Sequence, residues 1–67
     1  MERTPVESSN IVSVGWNNGT LEIEFVKGKL YQYMGVPKEV YTNMLRAESV
    51  GKYFHANIRS KYSYIQL

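Results

Sequence analysis

The chain has 67 residues, a formal charge of +2, no cysteine and a single histidine. So short a chain has room for one domain with a thin core, and its composition excludes both a disulfide framework and an ordinary structural zinc site. Hydrophobic residues at 43% and aromatic residues at 13% exceed what a disordered segment carries, so a real core held by packing alone is expected.

Residues 1–9 are polar, contain Pro5 and have no period, which suits an irregular arm. Ile11 to Trp16 is β-branched and aromatic, and period two puts Val12, Val14 and Trp16 on one face of a first strand. Asn17-Asn18-Gly19 is a hairpin signal, since Asn and Gly tolerate the positive φ of tight turns. Thr20 to Phe25 then alternates strictly: Leu21, Ile23 and Phe25 face a core, while Thr20, Glu22 and Glu24 face water. After a second turn at Lys27-Gly28-Lys29, Leu30 to Met34 makes a third strand. Its facing is open, with either Tyr31 and Tyr33 inward or the reverse.

Gly35-Val36-Pro37 breaks the sheet, and Pro37 suits the first position of a helix. Within Lys38 to Ala47, the residues Val40, Tyr41, Met44 and Leu45 form one apolar stripe. Ser49 is a natural cap for a second short helix running to about Arg59, with Val50, Phe54 and Ile58 as its buried face. Tyr62 and Tyr64 alternate with Ser63 and Ile65 in an extended tail. The expected fold is α+β: one domain over residues 1–67, with a three-stranded antiparallel meander, two short helices and an extended tail.

No apolar run is long enough for a membrane span or a secretory signal, so a soluble protein of the cytoplasm is expected, the host's cytoplasm if it is phage-encoded. Apolar faces left open on so small a domain favour a homo-oligomer. Charge is uneven along the chain. Up to Pro37 there are three basic residues (Arg3, Lys27, Lys29) against four acidic ones (Glu2, Glu7, Glu22, Glu24). From Lys38 onward there are five (Lys38, Arg46, Lys52, Arg59, Lys61) against two (Glu39, Glu48). Any anion-binding surface therefore belongs to the second half.

Acid–base chemistry has little to work with here. Glu22 and Glu24 share a strand face, but alternation gives them a plain solvated role. No nucleophile motif, phosphate loop or metal-ligand spacing is present, and no cofactor is implied. The better constellation lies in the second helix, where Lys52, His55 and Arg59 line one side opposite Val50, Phe54 and Ile58, and Lys61 follows. Tyr53, Tyr62 and Tyr64 flank this basic strip. Cations suit phosphates, and phenol rings give surfaces on which bases stack. Ser49-Val50-Gly51-Lys52 adds a helix start whose free N–H groups suit an anion. The exposed side of any helix is charged, so the same strip also fits a solvated face. Trp16 fits the end of a core better than a stacking platform.

Val12 to Trp16, Leu21 to Phe25, the Tyr31-Gln32-Tyr33 and Val36-Pro37 pieces, Gly51-Lys52-Tyr53-Phe54 with Ile58-Arg59, and Tyr62-Ser63-Tyr64 together resemble the KTSC domain. That family is named after the C-terminal region of some lysyl-tRNA synthetases and also occurs as free-standing small proteins of bacteria and phages. The resemblance runs from about Ser9 to Tyr64. It is carried most strongly by the Tyr-x-Tyr-x-x-Val-Pro and Gly-x-Tyr-Phe-x-x-x-Ile-Arg runs. It implies an association with tRNA through the synthetase attachment, and it carries over no catalytic residue.

These observations favour a non-enzymatic, self-associating binder of a phosphate-bearing nucleotide, with Lys52, Tyr53, His55, Arg59, Lys61 and Tyr62 as the candidate site. Family distribution suggests a phage-type sponge that takes up a host's nucleotide defence signal. Two rivals stand beside it: a sequence-tolerant RNA-binding accessory domain, and a protein–protein module using the sheet face around Leu30 and Met34.

Overall fold

The computed structural model covers residues 1–67. Five strands form one antiparallel sheet in chain order: β1 (Thr4–Pro5), β2 (Ile11–Asn17), β3 (Thr20–Phe25), β4 (Leu30–Tyr33) and β5 (Tyr64–Gln66). Between β4 and β5 lie α1 (Lys38–Arg46) and α2 (Val50–Asn57). The α+β class stands, but the strand number expected from the sequence is corrected from three to five. The arm supplies one edge strand and the tail supplies the other. Thr4 pairs with Val14, and Tyr64 pairs with Tyr33. No helix is long and apolar enough to cross a membrane.

The β2–β3 hairpin closes over Asn18 and Gly19, both at positive φ (49° and 85°), which is the geometry that matches the twist of the flanking strands. Strict alternation then sends Leu21 and Ile23 into the core, where they meet Val14, Tyr33, Met44, Val50, Phe54 and Ile58. The open facing of β4 resolves with Tyr33 buried and Tyr31 half-buried on the helix side. In β2 the register shifts between Ile11 and Ser13, a β-bulge. The bulge corrects the expected facing: Ile11 takes the inner position at 1% exposure, while Val12 turns out to 41%.

Ser49 caps α2 by accepting from the backbone N–H of Lys52 at 3.2 Å, and Val50, Phe54 and Ile58 are buried as the spacing requires. Pro37 stands just before α1 with extended ψ rather than as its first helical residue. In α1 Met44 is fully buried, whereas Leu45 at the margin of the stripe is exposed. Trp16 serves the core: its ring is half-buried and its Nε1 donates to the Val36 carbonyl at 2.7 Å.

The helix-free face of the sheet departs from the plain solvated role expected of Glu22. The arm crosses here, and Glu22 is only 5% exposed. Arg3 pairs with it, lies 3.7 Å from Glu24, and donates from Nε to Ser13 at 3.0 Å. Ser13 in turn donates to Glu24 at 3.0 Å. The Gln32 amide, donating at 2.8 Å, holds the Glu22 carboxyl below its ordinary range; burial pushes the other way, and Arg3 adds its hydrogen bond and charge to the lowering. Gly15 lets the arm lie this close, since a Cβ there would stand 2.4 Å from the Glu2 carbonyl oxygen.

Candidate functional site

On the helix side, a cleft of about 340 Å³ opens between β4, β5 and α2. Its floor and walls are aromatic: Phe25 from β3, Tyr31 and Tyr33 from β4, Phe54 from α2 and Tyr64 from β5. Period two in β4 puts Tyr31 and Tyr33 on the same face, and antiparallel pairing brings Tyr64 onto that face from the tail. The rings form one connected cluster. Tyr33 lies 5.4 Å from Tyr64 and 5.5 Å from Phe54, and Phe25 meets Tyr31 edge-on at 5.4 Å. Edge and offset contacts of this kind fix ring positions. Phe25 and Tyr31 remain half-exposed and Tyr64 is exposed, so flat aromatic surface faces the opening.

The rim is basic. Lys29, His55 and Arg59 border the cleft together with Asn10, and no carboxylate does. Arg59 owes its place to the end of α2, which stops at Asn57 rather than continuing to Arg59 as the sequence suggested. Ile58 leaves helical geometry, and the Phe54 carbonyl accepts from both Ile58 (2.9 Å) and Arg59 (3.0 Å). This wraps the chain around the helix end and sets the Arg59 guanidinium beside His55, with Nη1 3.3 Å from Nδ1. A guanidinium has no acceptor, so Nδ1 must accept in that contact, which puts the ring's own N–H on Nε2.

Burial pushes the Tyr33 phenol up to about 12, helped by neighbouring Tyr31 and Tyr64 and opposed by Arg59. It stays protonated at neutral pH and can donate. The polar groups around the rings are therefore mostly donors. One imidazole beside two cations is a poor donor set for a metal ion and a good one for an anion.

Of the six candidate residues read from the sequence, the structure brings His55 and Arg59 to the cleft. Lys52 is exposed in the first turn of α2, and Lys61 is exposed on the turn that follows the helix; neither borders the cleft. Tyr53 and Tyr62 are half-buried and packed against the core. The helix start at Ser49–Lys52 is also spoken for. Ser49 takes the Lys52 N–H, and a Cβ at Gly51 would lie 2.9 Å from the Asn10 side chain, so Gly51 serves packing. Sequence reasoning missed Asn10, Phe25, Lys29, Tyr31 and Tyr33 as cleft residues, had Phe54 only as core, and set Tyr64 beside the basic strip without including it in the site. The usable signal was the Tyr31/Tyr33 alternation, matched by Tyr62/Tyr64 in the tail.

Fold and cleft together define a small α+β domain with a basic, aromatic-walled cleft beside its second helix. The chain belongs to the KTSC domain family, whose model matches residues 7–62. The crystal structure of a KTSC domain protein from Yersinia pestis superposes with a TM-score of 0.92 at 39% identity, covering 98% of this chain and 96% of that one. An uncharacterized protein of Stutzerimonas stutzeri is 40% identical over 57 residues, spanning 82% of this chain and 80% of that protein. A lysine–tRNA ligase of Trichormus variabilis is 44% identical over 48 residues, which are 72% of this chain but 9% of the ligase.

Proposed function

We propose that this chain is a binding domain, not an enzyme, and that its cleft holds a phosphate-bearing nucleotide. One observation carries this: five aromatic rings wall a single opening whose rim holds the cations Lys29 and Arg59 beside the His55 imidazole, without one carboxylate. A base stacks on the half-exposed face of Tyr31 or Tyr64, and the phosphate meets the planar fork of Arg59 and the Lys29 ammonium. A volume of about 340 Å³ sits at the small end of the roughly 300–1,000 Å³ typical of small-molecule sites, which favours a nucleotide over a long strand. A cleft that offers rings and cations but neither a carboxylate nor a thiol is suited to holding its ligand, as a sponge for a nucleotide signal would.

Mass action gives the test. A nucleotide monophosphate at a hundredfold its Kd stabilises the fold by about 2.7 kcal/mol, which for a domain of this size raises Tm by roughly 10–20 °C. Arg59→Ala should remove most of that rise, while Lys52→Ala should leave it. A rise that survives Arg59→Ala, or no rise with any nucleotide, contradicts the proposal.

The likeness to a short part of lysine–tRNA ligases supports an RNA ligand as the second reading. An RNA that neutralises several phosphates on the protein would lose affinity steeply with salt, whereas a single nucleotide would respond weakly.

A further inference from the structure

Asn10 is the one neutral amide on the cleft wall, and its orientation is fixed by a single hydroxyl. Ser8 Oγ accepts from the backbone N–H of Asn10 at 3.4 Å and from that of Ile11 at 3.3 Å. A serine hydroxyl has two lone pairs and one proton. With both lone pairs engaged, it donates that proton to the Asn10 side chain at 2.9 Å, so the atom facing it must be the carbonyl oxygen Oδ1. The amide cannot turn over without setting donor against donor. On the same side, α2 closes in so tightly that a Cβ at Gly51 would stand 2.9 Å from Oδ1 and 3.4 Å from Ser8 Oγ. The Asn10 carbonyl accepts from Val26 N–H at 3.0 Å, which anchors the backbone as well.

Nδ2 is the free end. It has no partner within the chain, and no buried side-chain nitrogen is left unpaired, so it keeps access to solvent, and Asn10 borders the cleft. Lys29 and Arg59 on the same rim are also donors. Apart from the tyrosine hydroxyls, which serve either way, the exposed polar complement of the cleft is therefore one of donors. A base that presents a ring carbonyl meets it favourably; a base that presents an exocyclic amine in the same place sets hydrogens against hydrogens.

We infer that Asn10 is a specificity-determining residue of this cleft, donating from Nδ2 to a ring carbonyl, so that carbonyl-bearing bases such as hypoxanthine are taken in preference to amino-bearing ones such as adenine. This rests on the nucleotide reading of the cleft. The pair differs in shape by almost nothing, so the discrimination comes from the direction of one hydrogen bond.

The test is calorimetric titration of the whole chain with inosine and adenosine monophosphates, for the wild type, Asn10→Ala, Asn10→Asp, Ser8→Ala and Arg59→Ala. Wild type should prefer the inosine nucleotide by roughly tenfold, the effect of a buried donor losing its acceptor. Asn10→Ala should level the two, and Ser8→Ala, which frees the amide to turn, should narrow the gap. Asn10→Asp keeps the shape and the Ser8 contact but replaces the donor with an acceptor, and should invert the order. Equal wild-type affinities, or a preference untouched by Asn10→Ala and Asn10→Asp while Arg59→Ala still weakens both nucleotides, overturns the role of Asn10 and leaves the cleft standing. Absence of binding to either nucleotide, or binding indifferent to Arg59→Ala, overturns both.

Discussion

The guanidinium of Arg3 pairs with the carboxylate of Glu22 across the intervening strand β2, and the arm that carries Arg3 closes Glu22 off from water. Removing one partner of such a pair leaves the other charge desolvated and unmatched. Arg3→Ala should therefore destabilise the fold by about 2–3 kcal/mol, less than the roughly 3–5 kcal/mol of a fully buried pair, because Arg3 keeps some contact with solvent. The acid dependence follows from the lowered Glu22 carboxyl. The folded carboxylate ionises at lower pH than the unfolded one, so its contribution is complete above the ordinary carboxylate range. It fades as pH falls through the lowered folded value. Urea denaturation at a series of acidic pH values checks both points, and Arg3→Ala should flatten the acid limb.

Gly15 is one of the points where the arm lies against the sheet. A methyl group there would come within 2.4 Å of the Glu2 carbonyl oxygen, a backbone atom that can move only by lifting the arm. Gly15→Ala should cost about 1–3 kcal/mol, as overpacking does, and should also expose Glu22. Faster hydrogen exchange of the Val14 amide and of its β1 partner would register the lifted strand.

The Tyr33 phenol gives an alkaline counterpart. Its folded value, pushed up to about 12, lies above its ordinary value near 10. Between the two, the unfolded chain gives up this proton while the folded chain keeps it, so stability falls as pH rises through that window. Ultraviolet titration should show one tyrosine ionising late. Tyr33→Phe keeps the ring among Phe54, Tyr31 and Tyr64, and should abolish the late step with a change in neutral-pH stability of under about 1 kcal/mol.

How much of this was legible in the sequence depended on whether a segment carries its own period. β3 alternates without exception, and Leu21 and Ile23 are buried as the alternation requires, but Glu22 on the opposite face is buried too. The Ser49 cap and the Val50, Phe54 and Ile58 spacing gave α2 and its buried side. The edge strands were readable only in part: β1 has two residues and no period, and although alternation marked the tail as extended, nothing in the tail names β4 as its partner. The same distance hid the burial of Glu22, which depends on Arg3 arriving from the arm. At the cleft, helical spacing selected Arg59, which borders the opening although it lies beyond the helix, while Lys52 on the same spacing lies elsewhere. Lys29 and Tyr64 come from two segments that only the fold brings together.

β5 bears on the self-association expected from the sequence. From Tyr62 to Leu67 there is no charged side chain and no proline, the features that usually discourage edge-to-edge pairing. Ile65 is half exposed on this edge strand. If the chain self-associates through this edge, Ile65→Lys should make it run as a monomer in size-exclusion chromatography with light scattering, without lowering Tm by more than a few degrees. A wild-type chain that runs as a monomer at all concentrations contradicts self-association.

The most direct measurement of where a ligand sits is a backbone amide NMR titration with inosine monophosphate. Binding in the cleft predicts saturable shifts confined to Asn10, Phe25, Lys29, Tyr31, Tyr33, His55, Arg59, Tyr64 and their neighbours. Shifts centred instead on Lys52 and Lys61, or on Gln32 and Ile65 across the sheet, would contradict it, as would a spectrum that does not change.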